Sequence, residues 1–347
     1  MKRALITITA VIFSISFCMS QISPTATVTS EGTVIRGATL TAKFDWLDRN
    51  AESHNTYIVE VSANENIAPR TIEYRGAINI TVIIRSDYEN RIIRLSSNGT
   101  MFTVRSNVTF ILENNITLQG HTQNTGSMIE VNGGIFIMNR GATITENKGG
   151  SGVYVRSGTF EMNGGTISNN GKSTNLVGGG VDNSAVFTMN GGTISGNTAS
   201  TGGGVYVGGT FTMNGGVITD NIASGYGGGV YIYYGKFIMN NGTISGNIAT
   251  KGGGVSINRY TFTMNAGIIT GNIASEYGGG VYGELTKKGG TITGYNSDPS
   301  NGNVVKDNSG TLARRGHAVF VNENMRKEKS AASHINLSNN NKENWDQ

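Results

Sequence analysis

Apolar and polar residues in this chain alternate in short bursts, and the bursts recur on a fixed period. In Val205-Tyr206-Val207 the two valines share one face and Tyr206 takes the other. Phe211 and Met213 then share a face opposite Thr212, and Ile218 follows between Val217 and Thr219. Alternation with a period of two is the mark of a strand, and the Gly and Asn residues between the bursts mark turns. The same pattern returns with its Phe at positions 136, 160, 187, 211, 237 and 262, in steps of 24, 27, 24, 26 and 25 residues. Phe110 heads an earlier, more divergent copy. Strands this short do not stand alone, but they become stable when successive copies stack at about 4.8 Å and continue one another's hydrogen-bond ladders. The pattern therefore predicts an all-β fold: a right-handed parallel β-helix, a three-strand solenoid of about ten rungs. Val205, Phe211, Met213 and Ile218, with their counterparts in the other copies, would form four inner columns. The Met column is core filling.

Two Asn columns accompany the turns. One follows the Met (Asn139, Asn163, Asn190, Asn214, Asn240, Asn265) and one follows the Ile strand (Asn147, Asn170, Asn197, Asn221, Asn247, Asn272). Asn tolerates the left-handed backbone of a tight corner, and stacked amides can bond from rung to rung. A solenoid also needs caps, because an end rung exposes core and an unpaired edge. Leu40, Phe44, Leu47 and Ala51 fall on one face of an amphipathic helix, which would lid the first rung. The predicted layout is a signal peptide over 1–20, a linker and capping helix over 21–56, a β-helix over 57–321 with its clearest repeats at 133–294, and a polar tail over 322–347.

Composition supports this layout and removes other classes. There are 51 Gly but only 3 Pro, which suits tight turns between strands that need their N–H groups. Lys2-Arg3 followed by an apolar stretch to Phe17, with Cys18-Met19-Ser20 at the end, reads as a secretory signal. Lipidation of Cys18 is the alternative use of that segment. Cys18 is the only cysteine, so the exported chain would have no disulfide and no thiolate metal site. Without the signal, 25 basic residues face 23 acidic ones, which gives no footing for nucleic acid. No later apolar run is long enough to span a membrane.

The repeats resemble those of the chlamydial polymorphic outer-membrane proteins, which pair a Gly-Gly-small-aliphatic tetrapeptide with Phe-x-x-Asn. Here Phe-x-x-Asn begins at 136, 160, 187, 211, 237 and 262, and Gly-Gly-Gly-Val begins at 178, 202, 227, 252 and 278. The third Gly departs from the usual Ala or Leu. The layout over 37–347 is more similar still to β-helix repeat surface proteins of spirochaetes and other bacteria. The resemblance implies a pectate-lyase-like β-helix and secreted or cell-surface placement, with no reaction attached. Nothing after residue 320 has the strand pattern of an autotransporter barrel, so export through such a barrel is not expected.

Candidate chemistry is sparse. Sugar hydrolysis or elimination calls for clustered carboxylates. The best constellation is Asp182 on the outward face of a first strand, Glu130 two rungs below, and Arg156 nearby. Four scattered His residues form no metal site or triad, and no cofactor is implied. A clearer surface feature is a column of outward tyrosines, Tyr154, Tyr206, Tyr231 and Tyr282, interrupted by Asp182 and Ser256. Exposed aromatics in a row can stack on sugar rings or anchor a host or cell-surface protein, and they can also simply stabilise the sheet. The expected function is that of a non-catalytic binding or adhesion scaffold, against the alternative of a polysaccharide lyase or glycoside hydrolase.

Overall fold

The computed structural model describes residues 24–172, 175–295, 298–307, 309–312 and 316–321; the signal segment 1–20 and the tail 322–347 lie outside the described residues. The chain winds into a parallel β-solenoid. Its third-strand segments, from Glu65–Ile67 to Thr291–Ile292, stack into one ten-stranded parallel sheet that sets the number of rungs. The first and second segments together form a twenty-stranded sheet, because Ile129–Met138 and Val153–Met162 each run unbroken through the corner between them.

Register is strict where the repeat is clear. Phe160, Phe187, Phe211, Phe237 and Phe262 pair in sequence, as do the Met residues two places on. All are fully buried, with the intervening Thr, Glu or Ile left partly exposed. The period-two pattern thus delivers one apolar face inward at every rung.

From residue 198 onward each rung gains a strand segment that the alternation did not reveal. Thr198–Thr201, Ile222–Tyr226, Ile248–Lys251, Ile273–Tyr277 and Val304–Val305 form a third, five-stranded sheet. Its inward residues are mostly Ala199, Ala223, Ala249 and Ala274, while Ile222 and Ile248 point to solvent. Small inside and apolar outside inverts the usual signal.

The two Asn columns do bond rung to rung, but they do not carry the left-handed backbone. Positive φ falls on the residue before each inner Asn, for example Asn169 (57°), Asp220 (56°) and Gly246 (65°), and on the Gly two places after each outer one, such as Gly216 (89°). The inner Asn is there for its amide. Asn221 Nδ2 donates to Asn247 Oδ1 at 3.0 Å and to Ile194 O at 2.9 Å, and its Oδ1 accepts from the backbone N–H and side chain of Asn197, both at 3.0 Å. The column runs fully buried from Asn147 to Asn303 and leaves its amides paired, as low-dielectric surroundings demand.

This column also explains the third Gly of each triplet. A Cβ at Gly204 would stand 2.6 Å from Gly229 O and 3.0 Å from Asn221 Nδ2. Only Gly lets the triplet pass so close to the next rung and the amide ladder.

At the N-terminus, Leu40–Asn50 is the expected capping helix, with Leu40, Phe44 and Leu47 fully buried and Ala51 packed at the edge of the core. Thr39 caps it by accepting from Ala42 N at 3.2 Å. Lys43 is buried beside them; its ammonium donates to Glu60 O at 2.6 Å, and burial lowers its pKa. The segment before the helix, expected to be a linker, forms an antiparallel hairpin, Thr25–Thr29 with Gly32–Arg36. Its second strand pairs in parallel with Thr56–Val61 and so extends the solenoid by one strand below Tyr57. At the other end Val319–Phe320 pairs with Val281–Tyr282 as the last strand among the described residues, within the expected β-helix bound of 321.

Candidate functional site

The first-strand segments hold one outward column whose order follows from the strand register: Thr103, Glu130, Tyr154, Asp182, Tyr206, Tyr231, Ser256, Tyr282 and Phe320. The four tyrosines expected in this column are all there. They are not all exposed, however. Tyr154 and Tyr206 are half-buried, but Tyr231 is only 8% exposed and Tyr282 only 9%. The reason lies in a second column, just before each Gly triplet, where Thr201, Tyr226, Lys251 and Tyr277 pair in turn. Their side chains fold over the first column.

Ser256 makes this possible. It is almost wholly buried, and where a tyrosine is missing the ring of Tyr226 comes in from the side. Tyr226 stacks on Tyr231 at 5.7 Å between centroids and reaches Tyr282 at 6.5 Å. Tyr277 continues the cover, 6.3 Å from Tyr282 and 4.5 Å from Phe320. The ammonium of Lys251 sits among them, 5.6, 5.5 and 5.9 Å from the rings of Tyr226, Tyr277 and Tyr282, and 3.4 Å from Glu276.

On the other flank the corner after the first segment adds Tyr233, Tyr234 and Tyr260. Tyr233 lies 6.1 Å from Tyr206 and 6.0 Å from Tyr231, Tyr234 meets Tyr233 edge-on at 4.1 Å, and Tyr260 meets Tyr234 at 5.7 Å. The result is an aromatic ridge three side chains wide over the C-terminal rungs. Its open faces belong to Tyr226 (38% exposed), Tyr234 (51%) and Tyr260 (48%), none of which stands in the column the sequence singles out. Their sole sequence signal is nearness to it. Burial, and for Tyr206 the neighbouring Asp182 carboxylate, pushes the Tyr206 and Tyr231 hydroxyls up to about 12, so both keep their protons at neutral pH.

The carboxylates take different partners. Glu130 forms an ion pair with Arg156 at 3.6 Å and accepts from Asn132 at 3.4 Å. Asp182 stands two rungs away with Tyr154 between, so Arg156 serves Glu130. Asp182 Oδ1 is shut off from solvent without a hydrogen-bond partner among the described residues, and burial pushes the carboxyl up to about 7. Beside it Asn183 replaces the inner aliphatic of this rung and is satisfied, donating to Thr210 O at 2.9 Å and accepting from Ala185 N at 3.2 Å.

Among the described residues no three His, Cys, Asp or Glu side chains converge as a metal site. His317 is structural: its Nδ1 accepts from Val305 N at 2.9 Å, and burial lowers its pKa. No described helix is long and apolar enough to cross a membrane.

Fold and surface together define a class, a parallel β-solenoid carrying an aromatic ridge along one sheet. No family model, no curated protein and no solved structure matches the chain.

Proposed function

We propose that this protein is an exported, non-catalytic β-helix scaffold that binds or adheres at a surface or in the secreted fraction, with polysaccharide as its ligand class. It would belong with the bacterial surface β-helix repeat proteins its sequence resembles. The observation that carries the reading is the ridge. Tyr226, Tyr234 and Tyr260 leave ring surface open while Tyr226 packs on Tyr231 and Tyr282, Tyr234 on Tyr233, and Tyr260 on Tyr234. Rigid aromatic faces over a sheet suit the C–H faces of sugar rings at low entropic cost, since few side-chain torsions need to be ordered.

The test is a screen of the purified chain against polysaccharides that scores retention and cleavage together. A variant carrying Tyr226→Ala, Tyr234→Ala and Tyr260→Ala should lose retention by about tenfold or more, equivalent to ~1.4 kcal/mol. Unchanged retention in that variant sinks the reading. Tyr231→Ala is a poor probe, because its ring is part of the packing.

One observation favours the second reading, a polysaccharide-active enzyme. Asp182 has its carboxyl raised to about 7 and shares a column with Glu130, as a general acid and a second carboxylate would. Cleavage that disappears in Asp182→Asn would establish it.

A further inference from the structure

The outward column has two places where a smaller side chain interrupts the tyrosines, and the chain treats them differently. At Ser256 the gap is filled from within: the Lys251 ammonium lies 5.5 to 5.9 Å from three tyrosine rings and 3.4 Å from the Glu276 carboxylate. At Asp182 the turn position of the same rung is Val177, and that of the next rung is Thr201, where later rungs place Tyr226 and Lys251. The tyrosine walls are again present, with Tyr154 in the rung below and Tyr206 in the rung above. Here the carboxylate stands in the gap itself, with an oxygen that has no hydrogen-bond partner among the described residues. One gap thus holds tyrosines, a carboxylate and an ammonium, and the other holds tyrosines and a carboxylate alone.

We propose that Asp182, walled by Tyr154 and Tyr206, is a subsite for a primary ammonium group carried by amino-sugar units of a polysaccharide. The inference rests on the polysaccharide reading above and adds the charge of the sugar. Tyr154 and Tyr206 sit two rungs apart, about 10 Å, which leaves room for one ring between their faces. A carboxylate beside aromatic faces is the arrangement that attracts a cation, and desolvation strengthens it. Rotation about the last side-chain bond of Asp182 can present either oxygen. The titratable groups that the register places about the gap are Tyr154 and Tyr206 in its walls and the Glu130–Arg156 pair beyond Tyr154. None of them supplies Asp182 with a cation, and among the described residues burial accounts for its raised pKa.

The test is calorimetric titration of the full chain with glucosamine oligomers, with N-acetylglucosamine oligomers of equal length, and with a lysine-rich peptide. The free-amine oligomer should bind at least about tenfold tighter than the acetylated one, and its affinity should peak near neutral pH, falling below about 7 as Asp182 takes up a proton and falling again in base as the sugar ammonium loses its own. Asp182→Asn should abolish both the preference and the fall on the acid side while melting no lower than the parent chain. A preference that survives Asp182→Asn overturns the proposal. So does a lysine peptide that binds as tightly as the amine oligomer, which would point to a protein partner. If both oligomers bind equally and need Tyr226, Tyr234 and Tyr260, the Asp182 subsite fails while the ridge reading stands. If neither binds, the Asp182 subsite fails, and the polysaccharide screen alone decides the ridge reading.

Discussion

The first rungs and the last ones solve the same packing problem by different means. Near the capping helix, the buried rings meet at steep angles: Phe44 and Phe102 are 5.5 Å apart at 45°, and Phe102 and Phe110 are 5.1 Å apart at 50°. Ion pairs crowd this end, with Arg36 on Glu60, Arg70 on Asp45 and Asp48, Arg85 on Glu31, and Arg91 on Asp87. From Phe160 to Phe262, by contrast, successive rings lie 4.7 to 4.8 Å apart within 5° of parallel. That distance is the spacing between stacked strands, so identical residues at identical places fix the geometry with no help from charge. The lesson is that this fold can be registered by repetition or by specific pairs. The irregular end uses pairs because it must also turn a helix into a lid.

The largest effect should come from breaking the repeated stack. Phe211→Ala removes a ring that touches Phe187 and Phe237, each at 4.7 Å, in a column with no space to collapse. A loss of about 3–5 kcal/mol is expected from the transfer and cavity terms together. Urea unfolding should show it. A loss under 1 kcal/mol would mean that neighbouring rungs slide to close the gap, contrary to strict register.

Next in size is the inner amide ladder. Asn221→Ala strips a fully buried amide and leaves the Asn197 and Asn247 side chains and Ile194 O short of partners. Orphaned buried groups of this kind cost roughly 1–3 kcal/mol each before relaxation, so a net loss of about 2–4 kcal/mol is expected. The same substitution tests whether the ladder or the Gly triplet sets the corner, since Gly204 packs against that amide. Retained parallel-strand signal with lowered stability would favour the triplet.

Much of this was readable from residues alone. The Phe, Met, Val and Ile columns follow from period-two alternation repeated at near-constant spacing, and the lid follows from Leu40, Phe44 and Leu47 on one helical face. What escaped had identifiable physical causes. The fourth strand segment hides because Ala223 is inward and Ile222 outward, the reverse of the usual contrast. Of the two roles read for the Asn columns, rung-to-rung bonding holds and the left-handed corner does not: at the inner column the residue before each Asn bears the positive φ. The ridge was only half visible. Tyr226, Lys251 and Tyr277 precede the Gly triplets, outside any alternating run, and only the three-dimensional register shows them folding over Ser256 and Tyr282.

Asp182 offers a third test, through pH. Its carboxyl rises from an ordinary 3.8 to about 7 in the folded chain because burial penalises the charge. Between those values the folded state holds a proton that the unfolded state has released. This contribution to stability is therefore fully present below about pH 4, declines as pH rises towards 7, and stays flat above. Asp182→Asn should erase the decline and stabilise the chain at pH 8 by a few kcal/mol at most. Thermal melts of both proteins across that range are the check, and parallel curves would count against it. Smaller still is the pair-registered end. Arg70→Ala removes two ion pairs to the helix and a contact 5.2 Å from the Phe44 ring centroid. A loss of about 1–2 kcal/mol that shrinks in high salt is expected there, whereas the loss in Phe211→Ala should not respond to salt.

The smallest effect sharpens the comparison most finely, because it repeats one residue type in two settings. The outer Asn ladder has the same rung-to-rung bonds as the inner one: Asn214 donates to Asn190 at 2.9 Å and accepts from Asn240 at 2.8 Å. It faces water, however, and a broken partner can turn to solvent at little cost. Asn214→Ala should therefore lower stability by no more than about 0.5 kcal/mol, against several times that for Asn221→Ala. Equal losses at the two sites would mean that ladder cooperativity along the rod, rather than desolvation inside it, governs the value of each amide. In that case the repetition that stacks the Phe column would be acting through the polar columns as well.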